Sequence, residues 1–115
     1  MSGTMPDEAD FLAILEAQRA EFRKTCRDRF EALRAAWARV AQGAGREALR
    51  ELLRQAHTLA GTGPTFGFDA LGDAAREVQA GVEEIDGDRA VPTDAQRARI
   101  DAAVAALQRA LPDPE

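Results

Sequence analysis

Apolar residues recur every three or four positions along almost the whole chain, the spacing of a helix that buries one face. In the first segment, from about Asp7 to Gln42, the stripe reads Phe11, Leu15, Phe22, Cys26, Phe30, Leu33, Trp37 and Val40. Gln18 is its one polar interruption. The pattern predicts one long amphipathic helix that overhangs or caps a bundle, with Gly43 and Gly45 ending it. A second stripe starts near Arg46 and runs Leu49, Leu52, Leu53, Ala56 and Leu59 until Gly61, Gly63 and Pro64 break it. A third starts near Phe68–Asp69, with Asp69 as the expected N-cap. It carries Leu71, Ala75, Val78, Val82 and Ile85 and stops at Gly87. The fourth follows Pro92, capped by Thr93 or Asp94. It carries Ile100, Val104, Leu107 and Leu111 before Pro112. No run alternates β-branched or aromatic residues as a strand would. Four amphipathic helices with short connections predict an all-α, antiparallel up-down four-helix bundle with a long first helix. The expected organisation is one domain over residues 1–115, with loose ends at about 1–6 and 112–115.

Composition narrows the chemistry. The 115 residues hold one His, one Cys, one Trp and no Tyr. The only Ser is Ser2, the only Lys is Lys24, and Asn is absent. A serine triad would have to use a residue at the very terminus. The usual closed Cys/His zinc tetrad is not available, and no metal site is expected. A lone Cys26 forms no intrachain disulfide, which fits a reducing, cytoplasmic compartment. Cys26 and Trp37 both lie on the first apolar stripe and are expected in the core. No apolar run approaches the roughly 20 residues of a membrane span, and the acidic N-terminus does not read as a signal peptide. A net charge of −5 without a basic run argues against nucleic-acid binding. Glu83–Glu84 and Asp86/Asp88 lack calcium-loop spacing and read as a solvated helix end. There is no Walker or kinase glycine loop, so ATP chemistry is not expected. Any histidine chemistry runs through His57.

On a helical wheel His57 lies roughly 90° from a stripe centred near Leu49 and Ala56, at the boundary of core and water. Arg50 and Arg54 sit on the same side, and Ala60 and Gly61 are small enough for a partner to approach the ring. The string from Ala56 to Phe68, followed by Leu71, resembles the phosphoacceptor motif of histidine-containing phosphotransfer (HPt) domains. His57, Leu59, Gly61, Phe66, Gly67 and Leu71 match that pattern. The motif covers about fifteen residues, and the family's helical architecture suits the whole chain. One position departs: where the family has Lys, this chain has Ala60. Arg54, one turn before His57, is the substitute cation that this departure suggests.

The resemblance implies several further roles. His57 is the phosphoacceptor, and Gln79, 22 residues on, is the residue that orients its imidazole. A turn centred on Pro64 leaves Gln79 about two helical turns too far along; helix tilt or a longer second helix has to close that gap. Leu53, Arg54, Ala60, Gly61, Pro64 and Phe66 are the expected docking surface, Phe66 having core packing as its competing role. Gly61 and Gly67 also suit turn geometry alone. The implied partners are response-regulator receiver domains and a hybrid histidine kinase. Receivers would bring their own Mg²⁺, so the chain, expected as a monomer, needs no cofactor and is a carrier rather than an enzyme. The implied function is relay of a phosphoryl group between receiver aspartates. The alternative is an HPt-like adaptor that binds a receiver or kinase without accepting phosphate. An unrelated helical interaction module remains only if the histidine string is coincidence.

Overall fold

In the computed structural model, which describes residues 7–113, Asp7 opens the first helix by accepting a hydrogen bond from the Asp10 amide at 2.9 Å. Of the expected loose ends at 1–6 and 112–115, residues 1–6 and 114–115 lie outside the described residues, and Pro112 and Asp113 follow α4 without regular structure. Helix α1 (Glu8–Ala41) runs 34 residues, about 51 Å at 1.5 Å per residue. Gly43 and Gly45, both at positive φ, turn the chain into α2 (Arg46–Thr65). Helix α3 (Asp69–Glu83) and helix α4 (Asp94–Ala110) follow. Each helix packs against the next as an antiparallel up-down bundle, and α1 touches α4 only lightly. That seam is held by polar contacts: Trp37 Nε1 donates to Asp101 at 2.7 Å, and Arg97 donates to the Ala41 carbonyl at 2.7 Å. Among the described residues no helix is long and apolar enough to cross a membrane.

Three expectations about helix ends need correction. Gly61, Gly63 and Pro64 do not end α2, which continues through them to Thr65. Pro64 lacks an N–H and its ring crowds the carbonyl four residues back, which costs one helical bond, yet the helix continues one residue past it. The Thr62 and Thr65 hydroxyls support this last stretch by donating to the Thr58 and Gly61 carbonyls, both at 2.9 Å. Asp69 is not the α3 cap; it is the first helical residue, and Phe68 precedes it without a side-chain cap. Helix α3 ends before Gly87, because the amides of Glu84 and Ile85 turn back to the Gly81 and Val82 carbonyls and tuck Ile85 into the core. Thr93 does cap α4, in a reciprocal capping box with Gln96.

The α1 stripe is buried only from Phe22 onward. Phe11 is 56% exposed and Leu15 40%, so the first turns overhang the bundle. Helix α2 reaches its far end at Phe66, which stacks on Phe22 with ring centroids 5.1 Å apart. Phe68 stacks on the same ring, and Arg19 covers Phe68 while donating to the Phe66 carbonyl at 3.0 Å. Beyond this aromatic lid α1 has no neighbour among the described residues. The interior below it is filled by Cys26, Phe30, Leu33, Leu52, Leu59, Leu71, Val78, Ile100 and Leu107, all fully buried.

Two features give direct tests. A Cβ built on Gly72 would lie 2.5 Å from the Pro64 ring, which cannot rotate away. Gly72→Ala is therefore expected to cost about 2 kcal/mol in urea unfolding, as overpacking does. Burial also pushes the Cys26 thiol from an ordinary 9.0 up to about 11, against the opposing pull of Arg29 and Arg27. Between those values the unfolded chain loses the thiol proton and the folded chain keeps it. Stability should thus fall as pH rises from 9 towards 11, and Cys26→Ala should flatten that part of the curve.

Candidate functional site at the α2–α3 seam

The residues of α2 that reach the core are Ala48, Leu52, Ala56, Leu59, Ala60 and Gly63. Their centre lies nearer Leu52 and Leu59 than Leu49, which is only half-buried. His57 thus points roughly 130° away from the core and is exposed, not poised at the boundary. Its ring lies beside α3, where the Gln79 amide meets it: Nε2 of Gln79 is 3.3 Å from His57 Nδ1.

This contact exists because α2 is longer than its glycines suggest. With the turn moved from Pro64 to Phe68, the two helices meet in rungs symmetric about that residue. Pro64 lies against Gly72, Arg76 donates to the Ala60 carbonyl at 3.3 Å, and His57 meets Gln79. Leu53 and Glu83 then face each other across one groove. The longer helix closes the two-turn gap.

The groove, of about 550 Å³, is lined by Arg50, Leu53, Arg54, His57, Gln79 and Glu83. His57, Gln79, Arg54 and Leu53 are therefore brought together, and the other expected residues are not. Ala60 is 7% exposed and turned into the bundle, so its side chain offers nothing to a partner. Pro64 is half-buried against Gly72, and Phe66 belongs to the aromatic lid. Gly61 is exposed and open: apart from its own stretch of helix backbone, no atom lies within 4 Å of where its Cβ would be. Gly67, at φ +88°, serves the turn, where a left-handed backbone favours glycine.

Arg54 lines the groove but is already engaged, its Nη2 lying 2.7 Å and 2.9 Å from the two Glu51 oxygens. Glu51 in turn is held below the usual carboxylate range by hydrogen bonds from Gln55 and then Arg54. Sequence reasoning treated Glu83 as a solvated helix end and passed over Arg76. Their spacing was the available signal: on α3 they stand four residues after and three before Gln79, hence on its face.

In the placed orientation the Gln79 amide donates to Nδ1, which puts the ring proton on Nε2. Turning the amide over puts Oε1 in the same place. Nδ1–H then donates, and Nε2 keeps its lone pair towards solvent. The second arrangement makes the ring a nucleophile at its exposed nitrogen.

No curated protein and no solved structure matches the chain. The family model for the Hpt domain matches residues 19–110, from the point where Arg19 meets the aromatic lid to the last residue of α4. The chain therefore belongs to the Hpt-domain family, whose members act in histidine phosphotransfer in two-component signalling and interact there with receiver domains and histidine kinases.

Proposed function

We propose that His57 accepts a phosphoryl group from the phosphoaspartate of one receiver domain and passes it to the aspartate of another. The observation that carries this reading is the exposed imidazole with Nδ1 held by Gln79 at 3.3 Å. With Oε1 turned to the ring, Gln79 keeps the proton on Nδ1 and frees Nε2. The Nε2 lone pair forms the N–P bond as the P–O bond to the donor carboxylate breaks, and the aspartate leaves as its carboxylate. The positive charge that develops on the ring is met by the Gln79 carbonyl oxygen at Nδ1–H. Reversal onto a second aspartate regenerates the neutral ring.

Phosphoryl transfer asks for alignment and charge neutralisation more than for covalent chemistry. A receiver that brings Mg²⁺ and its own catalytic groups leaves this chain with two tasks: an aligned imidazole and a surface to dock on. Leu53 and Gly61 offer an apolar and an open spot beside His57, with Arg50 and Arg54 as flanking cations. The chain thus works as a monomeric carrier with no cofactor of its own. A second reading, an adaptor that docks without accepting phosphate, draws on two observations. Ala60 provides no amine, and Arg54 is occupied by Glu51.

Incubation with ³²P-labelled receiver domains separates the two. The carrier takes up acid-labile, base-stable label, and His57→Gln abolishes it. The adaptor binds receivers and stays unlabelled, and label that survives in His57→Gln would falsify the assignment of the site. Gln79→Ala should move the His57 tautomers towards a free imidazole's mixture, read from ring ¹⁵N shifts, and slow labelling about tenfold, the scale of one lost hydrogen bond in a preorganised site.

A further inference from the structure

The Ala60 carbonyl is unusual within α2. Its regular helical donor would be the amide of residue 64, and Pro64 has none. The carbonyl faces α3, where Gly72 lets the Pro64 ring approach closely. Arg76 fills the vacancy from the neighbouring helix, its Nη1 donating to the Ala60 oxygen at 3.3 Å while Nη2 holds Asp73 at 2.9 Å. Arg76 stands three residues before Gln79, and Ala60 three residues after His57. The Arg76–Ala60 bond is thus the rung next to the His57–Gln79 rung.

We propose that Arg76 is a positioning residue for His57: by bonding the carbonyl that Pro64 leaves open, it locks the register of α3 on α2 and so holds Gln79 opposite the ring. The role rests on the reading of His57 as acceptor for its purpose, though not for its geometry. The Pro64–Gly72 contact fixes how near the helices come and leaves few registers open, but it is apolar and non-directional. A charged donor on a single carbonyl selects one of them. A slip of one residue, about 1.5 Å, would take the Gln79 amide out of hydrogen-bond range of Nδ1.

The sole histidine makes the test clean, because one set of ring ¹⁵N signals reports one site. Arg76→Ala should move the His57 tautomers towards the mixture seen in Gln79→Ala, with helicity unchanged. Labelling by a phosphorylated receiver should slow about tenfold in kcat, with KM little changed. Arg76→Lys retains a donor that reaches the carbonyl and should recover at least half of the tautomer shift. With Pro64→Ala, the new amide at position 64 meets the Ala60 carbonyl. In that background, removing Arg76 should shift the tautomers much less. The proposal is overturned if Arg76→Ala leaves the ring signals where they are in the unaltered chain. It is equally overturned if transfer slows while the tautomers stay put, since Arg76 would then act as a charge near the phosphoryl group. The ring measurement needs no phosphoryl donor. A failure of His57 to accept label therefore leaves it readable and points to the function, not to the positioning.

Discussion

The ring of Pro64 occupies the space that any side chain on residue 72 would need, and the fit of that ring over Gly72 governs how α2 and α3 meet. Gly63 makes the same seam tight from the other side: a Cβ there would lie 3.0 Å from the Gly72 amide nitrogen. Small residues at a crossing let two helix backbones come close, and close backbones leave few registers that keep every side chain in a hole. The pairing of His57 with Gln79 is a consequence of that register. So are the half-buried Leu53 and the groove beside it. The α2–α3 seam is therefore the part of the bundle on which the site depends. The α3–α4 packing and the α1 stripe supply the stability behind it.

The helices were legible because apolar spacing dominates this chain and because turn residues stand between the segments. Thr93 with Gln96, and Gly43 with Gly45, mark their boundaries through local chemistry that a sequence exposes directly. Of the three misjudged helix ends, the one that bears on the site was the end of α2. Gly61, Gly63 and Pro64 look like a stop signal, yet two of them have a tertiary reason to be helical. Gly63 approaches α3 and Pro64 packs on Gly72, while Gly61 faces open solvent and is carried along with them. Propensity is a local quantity, and here close packing between helices outweighs it. The same error moved the turn by four residues, which is why Gln79 looked two turns out of reach.

At the site, His57 and Gln79 could be named from the sequence through the motif they share with Hpt domains, while the docking residues could not be sorted. Ala60, Pro64 and Phe66 lie in the same string as His57. Yet two of them serve the α2–α3 seam and one serves the aromatic lid. Which members of a short motif face a partner depends on where the neighbouring helix lies, and no spacing rule within one helix contains that. Arg54 is a similar case: its place beside the histidine was readable, but its engagement with Glu51 depends on side-chain geometry.

Trp37 offers a different kind of consequence. It is the single indole of the chain, and its ring nitrogen is tied to Asp101 on α4, whereas His57 faces away from the core beside α3. The chromophore and the imidazole thus lie on different seams. Tryptophan emission would then follow the parting of α1 from α4 during unfolding, while docking at the histidine face leaves the indole's surroundings intact. The molecule carries an internal optical gauge of its integrity that is spatially separate from its one imidazole.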